Sequence, residues 1–331
     1  MIPKRQVGRF TVNPIGLGCM SLSHVYGAMP GEADAERLLH RALDIGYDFL
    51  DTAAVYGLGH NETLIGRVLK ARRGEFTLAS KCGFGPRPET VRQIDGSPAS
   101  IAETLDLSLQ RLGFDHIDLY YLHRPDPKVP IEESVGALAR AVEAGKIGSI
   151  GLSEVSADQL RRAHAVHPIA ALQTEYSLWT RNPEIAALDA CNELGVSFVA
   201  FSPVGRGFLT GAFGPGHVFA ADDMRAGMPR FQEPNFSRNL AWLADFRAFA
   251  ETVGCSPAQL AIAWLLHRDP RLVTIPGTKS VGHMEENFRA ADVRLDAGQI
   301  AALDALVNPQ TVAGGRYGAT MQAAVMTEEF A

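Results

Sequence analysis

Cysteine is scarce and scattered: Cys19, Cys82, Cys191 and Cys255 are the four in 331 residues, and no two form a CxxC pair. That spacing excludes a disulfide scaffold and fits free thiols in a reducing compartment. Positive charge is also short, with 31 Lys+Arg against 37 Asp+Glu and a formal net charge of -6. An acidic chain lacks the cationic surface that phosphate backbones need, which argues against nucleic acid as the main ligand. No apolar run approaches the roughly 20 residues of a membrane-spanning helix. Residues 1–30 do not read as a charged-then-apolar leader, so a cytoplasmic protein with no membrane partner is expected. The remaining composition, 46% hydrophobic and 21% charged, is that of a globular chain rather than a disordered or fibrous one.

What is present is an alternation. Short runs rich in Val, Ile, Leu and Phe recur at Ile15–Gly18, Tyr47–Asp51, Phe76–Lys81, Ile117–Leu122, Ile147–Leu152, Ala170–Thr174, Val196–Phe201 and Val273–Ile275. Amphipathic stretches lie between them. Ala33–Asp44 places Leu38, Leu39, Ala42 and Leu43 on one face, and Ser97–Leu112 carries Ile101, Leu105, Leu109 and Leu112 behind a Ser-Pro start. Ile131–Ala144, Ser156–His164, Pro183–Leu194, Pro257–Leu266 and Val281–Ala290 read the same way, with stops at Gly46, Gly113, Gly145 and Gly195. Near-continuous apolar strands fit a parallel sheet covered by helices. An open doubly wound sheet is disfavoured, because Gly16-Leu-Gly18-Cys19-Met20-Ser21 lacks a third glycine and no helix follows directly. The pattern predicts an α/β fold, a (β/α)8 TIM barrel forming one domain over 1–331. Arg5 to Val12, turning at Gly8, reads as a β-hairpin plugging the barrel bottom, and Gly205–Pro234 as a long loop after strand seven.

Barrel enzymes carry their reactive groups where strands end. Here those positions hold Asp51, Lys81 and His123, with Tyr56 five residues beyond Asp51. One such residue is more often a structural hydrogen-bonding group. Several on successive strands are hard to explain that way. A buried lysine needs a carboxylate partner, and Asp51 fills that role. Lys81 beside the phenol is expected to pull the Tyr56 pKa from near 10 toward neutrality, making it a general acid for a carbonyl oxygen. His123 is expected to donate a second hydrogen bond to that oxygen. This chemistry needs no metal. The pair His164 and His167 lies near a helix end and reads as solvated surface.

The residues Phe49-Leu-Asp51-Thr-Ala-Ala-Val-Tyr56-Gly, Ser80-Lys81 and Leu122-His123-Arg-Pro-Asp126 resemble those of the aldo-keto reductases, NAD(P)-dependent enzymes built on a (β/α)8 barrel. Further likenesses are Gly151-Leu-Ser153-Glu154, Gln173-Thr-Glu-Tyr176-Ser-Leu-Trp179, Phe201-Ser-Pro-Val-Gly-Arg-Gly207 and Ile275-Pro-Gly-Thr-Lys279-Ser. The resemblance implies catalytic roles for Asp51, Tyr56, Lys81 and His123. It implies that Ser153 and Gln173 hold the nicotinamide carboxamide, with Glu154 where other members have asparagine. Phe201 would stack on the ring, and Ser202, Pro203, Val204, Gly205 and Gly207 would line the pyrophosphate. Gly18, Cys19, Met20 and Asp51 join the cofactor set on the same grounds. So do Gly277, Thr278, Lys279, Ser280, His283, Glu286 and Asn287 at the adenosine end.

That end departs from the family pattern. His283 sits where an arginine or histidine is common, and Ala212 where many relatives have lysine. Lys279 and Ser280 still suit a phosphate dianion, without arginine's bidentate fork. NADPH is the expected cofactor, with NADH as the alternative. The partner is a small-molecule carbonyl or alcohol substrate, its pocket built from Tyr26, Tyr56, Phe84, His123 and Trp179, with Phe208 and Tyr317 nearby. Arg124 and Arg316 could meet a polar substrate, but read more readily as solvated. No residue pattern speaks to oligomeric state. Two competing functions remain: a Schiff-base aldolase using Lys81, and a cofactor-binding regulatory subunit.

Overall fold

The computed structural model describes residues 2–23, 26–91 and 93–330. A hairpin of β1 (Arg5–Val7) and β2 (Phe10–Val12) precedes the main sheet. Its turn uses Gly8, at φ +57°, a conformation that favours glycine. Eight strands follow in sheet order: β3 (Leu17–Gly18), β4 (Phe49–Asp51), β5 (Thr77–Cys82), β6 (Ile117–Leu122), β7 (Ile147–Ser153), β8 (Ile169–Glu175), β9 (Ser197–Phe201) and β10 (Leu272–Thr274). Each runs parallel to its neighbour. Bridges Ile15↔Thr274 and Gly18↔Gly277, with Thr274 N donating to Pro14 O at 2.9 Å, join the first edge to the last. The (β/α)8 barrel expected from the alternation is therefore the observed fold.

The connecting helices are α1 (Glu32–Ile45), α2 (His60–Leu69), α3 (Pro98–Leu112), α4 (Ile131–Glu143), α5 (Ala157–Val166) and α6 (Ala187–Leu194). Then come α7 (Asn235–Val253), α8 (Pro257–Leu266), α9 (Val281–Arg289), α10 (Ala297–Leu306) and the short α11 (Ala319–Gln322). The start of α6 lies later than the sequence suggests, because Asn182–Glu184 forms a separate 3-10 turn. Residues 205–234 hold only short 3-10 turns among irregular chain, as their glycine and proline content predicts. No helix among the described residues is long and apolar enough to cross a membrane.

Period-two alternation divides the apolar residues between two cores. Leu50, Leu78, Tyr120, Leu172 and Phe198 point outward beneath the helices. Phe49, Ala79, Leu119, Tyr121, Ala171, Val199 and Val273 point inward and fill the barrel, joined from below by Val7 and Val12 of the hairpin. Gly151 makes room in that interior, since a Cβ there would sit 2.3 Å from the Tyr121 ring.

The plug is fastened by Arg5, a buried side chain that donates to Leu266 O at 2.6 Å, to Asp269 O at 2.8 Å and to Leu272 O. Burial lowers its guanidinium to about 10, against the opposing pull of Asp269. Arg5→Met would leave these carbonyls without their donor. We expect urea unfolding to show a loss of about 2–4 kcal/mol. A change under about 0.5 kcal/mol, within the range of ordinary surface substitutions, would mean the plug holds without Arg5.

Candidate active site

The inward parity of each strand carries on past its last barrel-filling residue. Phe49 is followed two positions on by Asp51, Ala79 by Lys81, Tyr121 by His123, Gly151 by Ser153, Ala171 by Gln173 and Val199 by Phe201. These side chains meet at the carboxyl ends of the strands, and Tyr56 joins them from a 3-10 turn over Tyr56–Gly59.

Lys81 is fully buried, and its ammonium donates to Asp51 Oδ1, to Thr52 O at 2.7 Å and to the Tyr56 hydroxyl at 3.5 Å. Gln173 Nε2 donates to Asp51 Oδ2 at 2.7 Å. Burial works against the ammonium, but Asp51 and Tyr56 outweigh it and hold the Lys81 pKa above the ordinary lysine value. A lysine in that state has no free amine for a Schiff base. The phenol differs from expectation. Burial raises the Tyr56 pKa and Asp51 adds to the rise, so the pull of Lys81 does not bring it toward neutrality. The group is a protonated donor at neutral pH. His123 is held well below 6.5 by burial, then by the charges of Arg124 and Lys81, and stays neutral. Its ring stands edge-on to Tyr56 and to Phe84, at 5.8 Å and 5.3 Å between centroids.

A cavity of about 740 Å³ extends from Asp51, Tyr56 and His123 to the N-terminus of α9. Of the proposed cofactor residues it exposes Gly18, Met20, Asp51, Ser153, Gln173, Phe201, Ser202, Pro203, Val204 and Gly207. At its far end it exposes Gly277, Thr278, Lys279, Ser280, His283, Glu286 and Asn287. Tyr26, Arg124 and Tyr317 also face it.

Several expected residues lie elsewhere. Cys19 and Gly205 are buried outside this lining. Glu154 is one residue past Ser153, so the pleat turns it away from the cavity. Its carboxylate is taken by Arg316, by Glu175 N at 3.1 Å and by Thr327 Oγ1 at 2.8 Å. Trp179 lies outside this lining: it stacks on Phe208 with centroids 4.6 Å apart, inside an aromatic cluster that anchors the 205–234 loop. Phe84 lines a second cavity of about 380 Å³, behind Lys81 and Cys82. Arg316, read as solvated, is 4% exposed and ion-paired.

The sequence reading missed Arg206 and Arg225. Arg206 donates to Glu175 at 2.6 Å, to Tyr317 OH at 2.7 Å and to Tyr26 OH at 3.1 Å. Arg225 pairs with Asp223 at 2.6 Å and lies 4.9 Å above the Tyr26 ring. Lys279 Nζ donates to the carbonyls of Tyr26 and Ala28, at 3.1 Å and 2.8 Å. The Tyr26 segment is thereby strapped to the 205–234 loop and to the start of α9. Arginine between two glycines carries no sequence signal for this contact, because its partners are remote in the chain.

A model of the aldo/keto reductase family matches residues 14–308. An aldo-keto reductase of Schizosaccharomyces pombe, whose name specifies NADP(+), is 44% identical over 322 residues, spanning 96% of this chain and 94% of its own length. One from Strobilurus tenacellus is 42% identical over 325 residues, 95% of each chain. Among solved structures, the glycerol dehydrogenase of Gluconobacter oxydans matches with a TM-score of 0.84 at 30% identity, covering 92% of this chain and 94% of that one.

The rim carboxylate Glu175 makes acid stability a readout of this arrangement. Burial alone would raise its pKa, but Arg206, Arg316 and Arg230 lower it from 4.5 to about 2. A depressed carboxyl stabilises the fold above its unfolded pKa and loses that contribution as pH falls through its folded pKa. Glu175→Gln should therefore be less stable than the parent near pH 7, and the gap in unfolding free energy should close by about 3 kcal/mol between pH 4.5 and 2. A gap that stays constant over this range would mean Glu175 is not held ionised by the arginines.

Proposed function

The chain belongs to the aldo/keto reductase family, and on that premise we propose that it reduces an aldehyde or ketone with NADP(H), Tyr56 giving the proton. One (β/α)8 domain carries both the cofactor and the substrate. The observation behind this reading is the chain Tyr56–Lys81–Asp51–Gln173 opening into a cavity that ends at α9. When bound, the reduced nicotinamide supplies the hydrogen and electron pair that the carbonyl carbon accepts.

The donor set fits such a group. Gln173 Nε2 is engaged by Asp51, which leaves Oε1 to accept from the carboxamide, and Ser153 Oγ lies in the same wall. Phe201 offers an apolar face beside them. At the far end, Ser280 caps α9 by accepting from His283 N at 3.3 Å. A helix N-terminus with Thr278, Lys279 and His283 around it favours a phosphate, which supports NADP(H) over NAD(H). The NADP(+) in the name of the Schizosaccharomyces pombe relative points the same way.

Tyr56 donates its proton to the carbonyl oxygen as negative charge develops there. Burial keeps the phenol protonated beforehand, and the Lys81 ammonium stabilises the phenolate left behind. Asp51 keeps Lys81 charged. His123 Nδ1 is buried without a hydrogen-bond partner among the described residues, so the neutral ring is better served by Nδ1 as the empty acceptor and Nε2–H as the donor. That N–H orients the same oxygen. In the opposite direction the Tyr56 phenolate accepts the alcohol proton.

Tyr56→Phe removes the proton donor and leaves the cofactor walls in place. We expect kcat to fall at least about 100-fold while NADPH affinity moves less than about threefold. A loss below tenfold would end the assigned role of Tyr56. Intrinsic-fluorescence titration with NADPH and NADH side by side tests the cofactor. Tighter NADPH binding by at least about tenfold is expected from a read 2′-phosphate. Equal affinities would remove Lys279 and Ser280 from that role, and no binding of either at millimolar concentration would overturn the reductase reading.

A further inference from the structure

Among the described residues the other arginines of the catalytic cavity are paired with carboxylates, whereas Arg124 is not. Arg206 is paired with Glu175 at 2.6 Å and Arg225 with Asp223 at 2.6 Å, while Lys279 is held by two carbonyls. Arg124 stands next to His123 in the cavity wall, half-buried, and uses Nη1 alone: on His123 O at 2.6 Å and Ser153 Oγ at 3.4 Å. Among the described residues no carboxylate pairs with it, and its Nη2 and Nε have no protein partner. The nearby acids are committed elsewhere. Asp126 accepts from Gly96 N at 3.0 Å and Lys128 N at 2.8 Å, and the Glu154 oxygens are taken by Arg316, Glu175 N and Thr327. Arg124 feels the field of the buried Glu154 carboxylate, but no acid hydrogen-bonds its fork, and a guanidinium partly removed from water with open N–H groups is unfavourable for the fold, so its place has to be explained by what enters the cavity.

Building on the reductase reading above, we propose that Arg124 is the anion anchor of the substrate pocket, and that the preferred substrate is an aldehyde or ketone carrying a carboxylate a few bonds from its carbonyl. The geometry follows from neighbours. His123 marks the carbonyl oxygen, and the free fork of Arg124 lies beside it, so one small molecule can present its oxygen to Tyr56 and His123 and its carboxylate to Nη2 and Nε. The field of Arg124 is felt at the reacting groups, since it helps to keep His123 neutral and opposes the rise of the Tyr56 phenol. The cofactor diphosphate is the other possible source of an anion. Its expected walls are residues 202–207 and the start of α9, whereas Arg124 adjoins Ser153 at the carboxamide end.

The test compares 4-formylbenzoate with its neutral methyl ester, using NADPH and the full chain. In the parent we expect kcat/KM to favour the acid by at least about tenfold, chiefly through KM. In Arg124→Gln that ratio should fall to about one, and Arg124→Lys should keep part of it. Equilibrium binding of benzoate against benzamide to the NADP(+) complex gives a second readout that needs no turnover. Benzoate should bind the parent about tenfold more tightly than benzamide and lose that advantage in Arg124→Gln, with NADPH affinity shifted less than about threefold. An acid-to-ester ratio at or below one in the parent overturns the proposal, as does an unchanged ratio in Arg124→Gln. Loss of NADPH affinity in step with benzoate overturns it too, by assigning Arg124 to the diphosphate. If neither aldehyde is reduced although NADPH binds, the benzoate comparison alone decides the anion site, and if neither NADPH nor NADH binds it is the reductase reading that fails. If Arg124→Gln does not fold, Arg124→Lys and the parent's preference for benzoate over benzamide decide it.

Discussion

A lysine kept charged out of water governs the catalytic end of this barrel. Removing an ammonium and a carboxylate from solvent costs several kcal/mol per ion, and apolar replacements of such pairs are often neutral or stabilising by about 1–4 kcal/mol. The Asp51–Lys81 pair is therefore not explained by stability. What it provides is geometry. The ammonium has three N–H groups, and they are aimed at Asp51, Thr52 O and the Tyr56 hydroxyl, while the second Asp51 oxygen receives Gln173. Side chains from β4, β5 and β8 are tied across the mouth of the barrel, and the tyrosine is placed where a positive charge meets any phenolate it becomes. This depends on register: Asp51 pairs with Ala79 and Lys81 with Tyr121, so a shift of one residue would turn the lysine into the helix layer.

That dependence explains what could be read from the sequence. The parallel strands are short apolar runs, and counting in twos from Phe49, Ala79, Tyr121 and Ala171 lands on Asp51, Lys81, His123 and Gln173. The same counting separates Ser153 from Glu154, a distinction that motif likeness alone missed. Trp179 and Phe208 fall outside the cavity lining for another reason. Aromatics near a pocket suggest a ligand wall, yet here they stack on one another to hold a loop of 30 residues' span that has no sheet or α-helix of its own. The phenol pKa failed on burial. A neighbour such as Lys81 is legible in the sequence, whereas the desolvation that outweighs it is a property of the packed barrel. The helix α7 has no clean amphipathic stripe to be read, because apolar residues such as Leu240 and Phe249 interrupt the polar side of its pattern.

Net charge was informative about the whole surface and silent about this site. The chain is acidic overall at -6, but its catalytic face gathers Lys81, Arg124, Arg206, Arg225, Arg230, Arg316 and Lys279 around Asp51, Glu154, Glu175, Asp223 and Glu286. Two of the acids, Glu154 and Glu175, are fully buried and lie behind the wall, where they neutralise Arg316 and Arg206 and help pin the C-terminal segment through Thr327 and Tyr317. Asp51 is matched by Lys81. The potential left in the cavity is consequently positive, and low-dielectric walls focus it inward. A surface that repels polyanions can thus surround a cleft that attracts small ones. The dinucleotide phosphates proposed for α9 would take up part of this excess, while Arg124 at the reacting end has the field of Glu154 but no carboxylate in hydrogen-bond contact, so the anion proposed for it would arrive with the substrate.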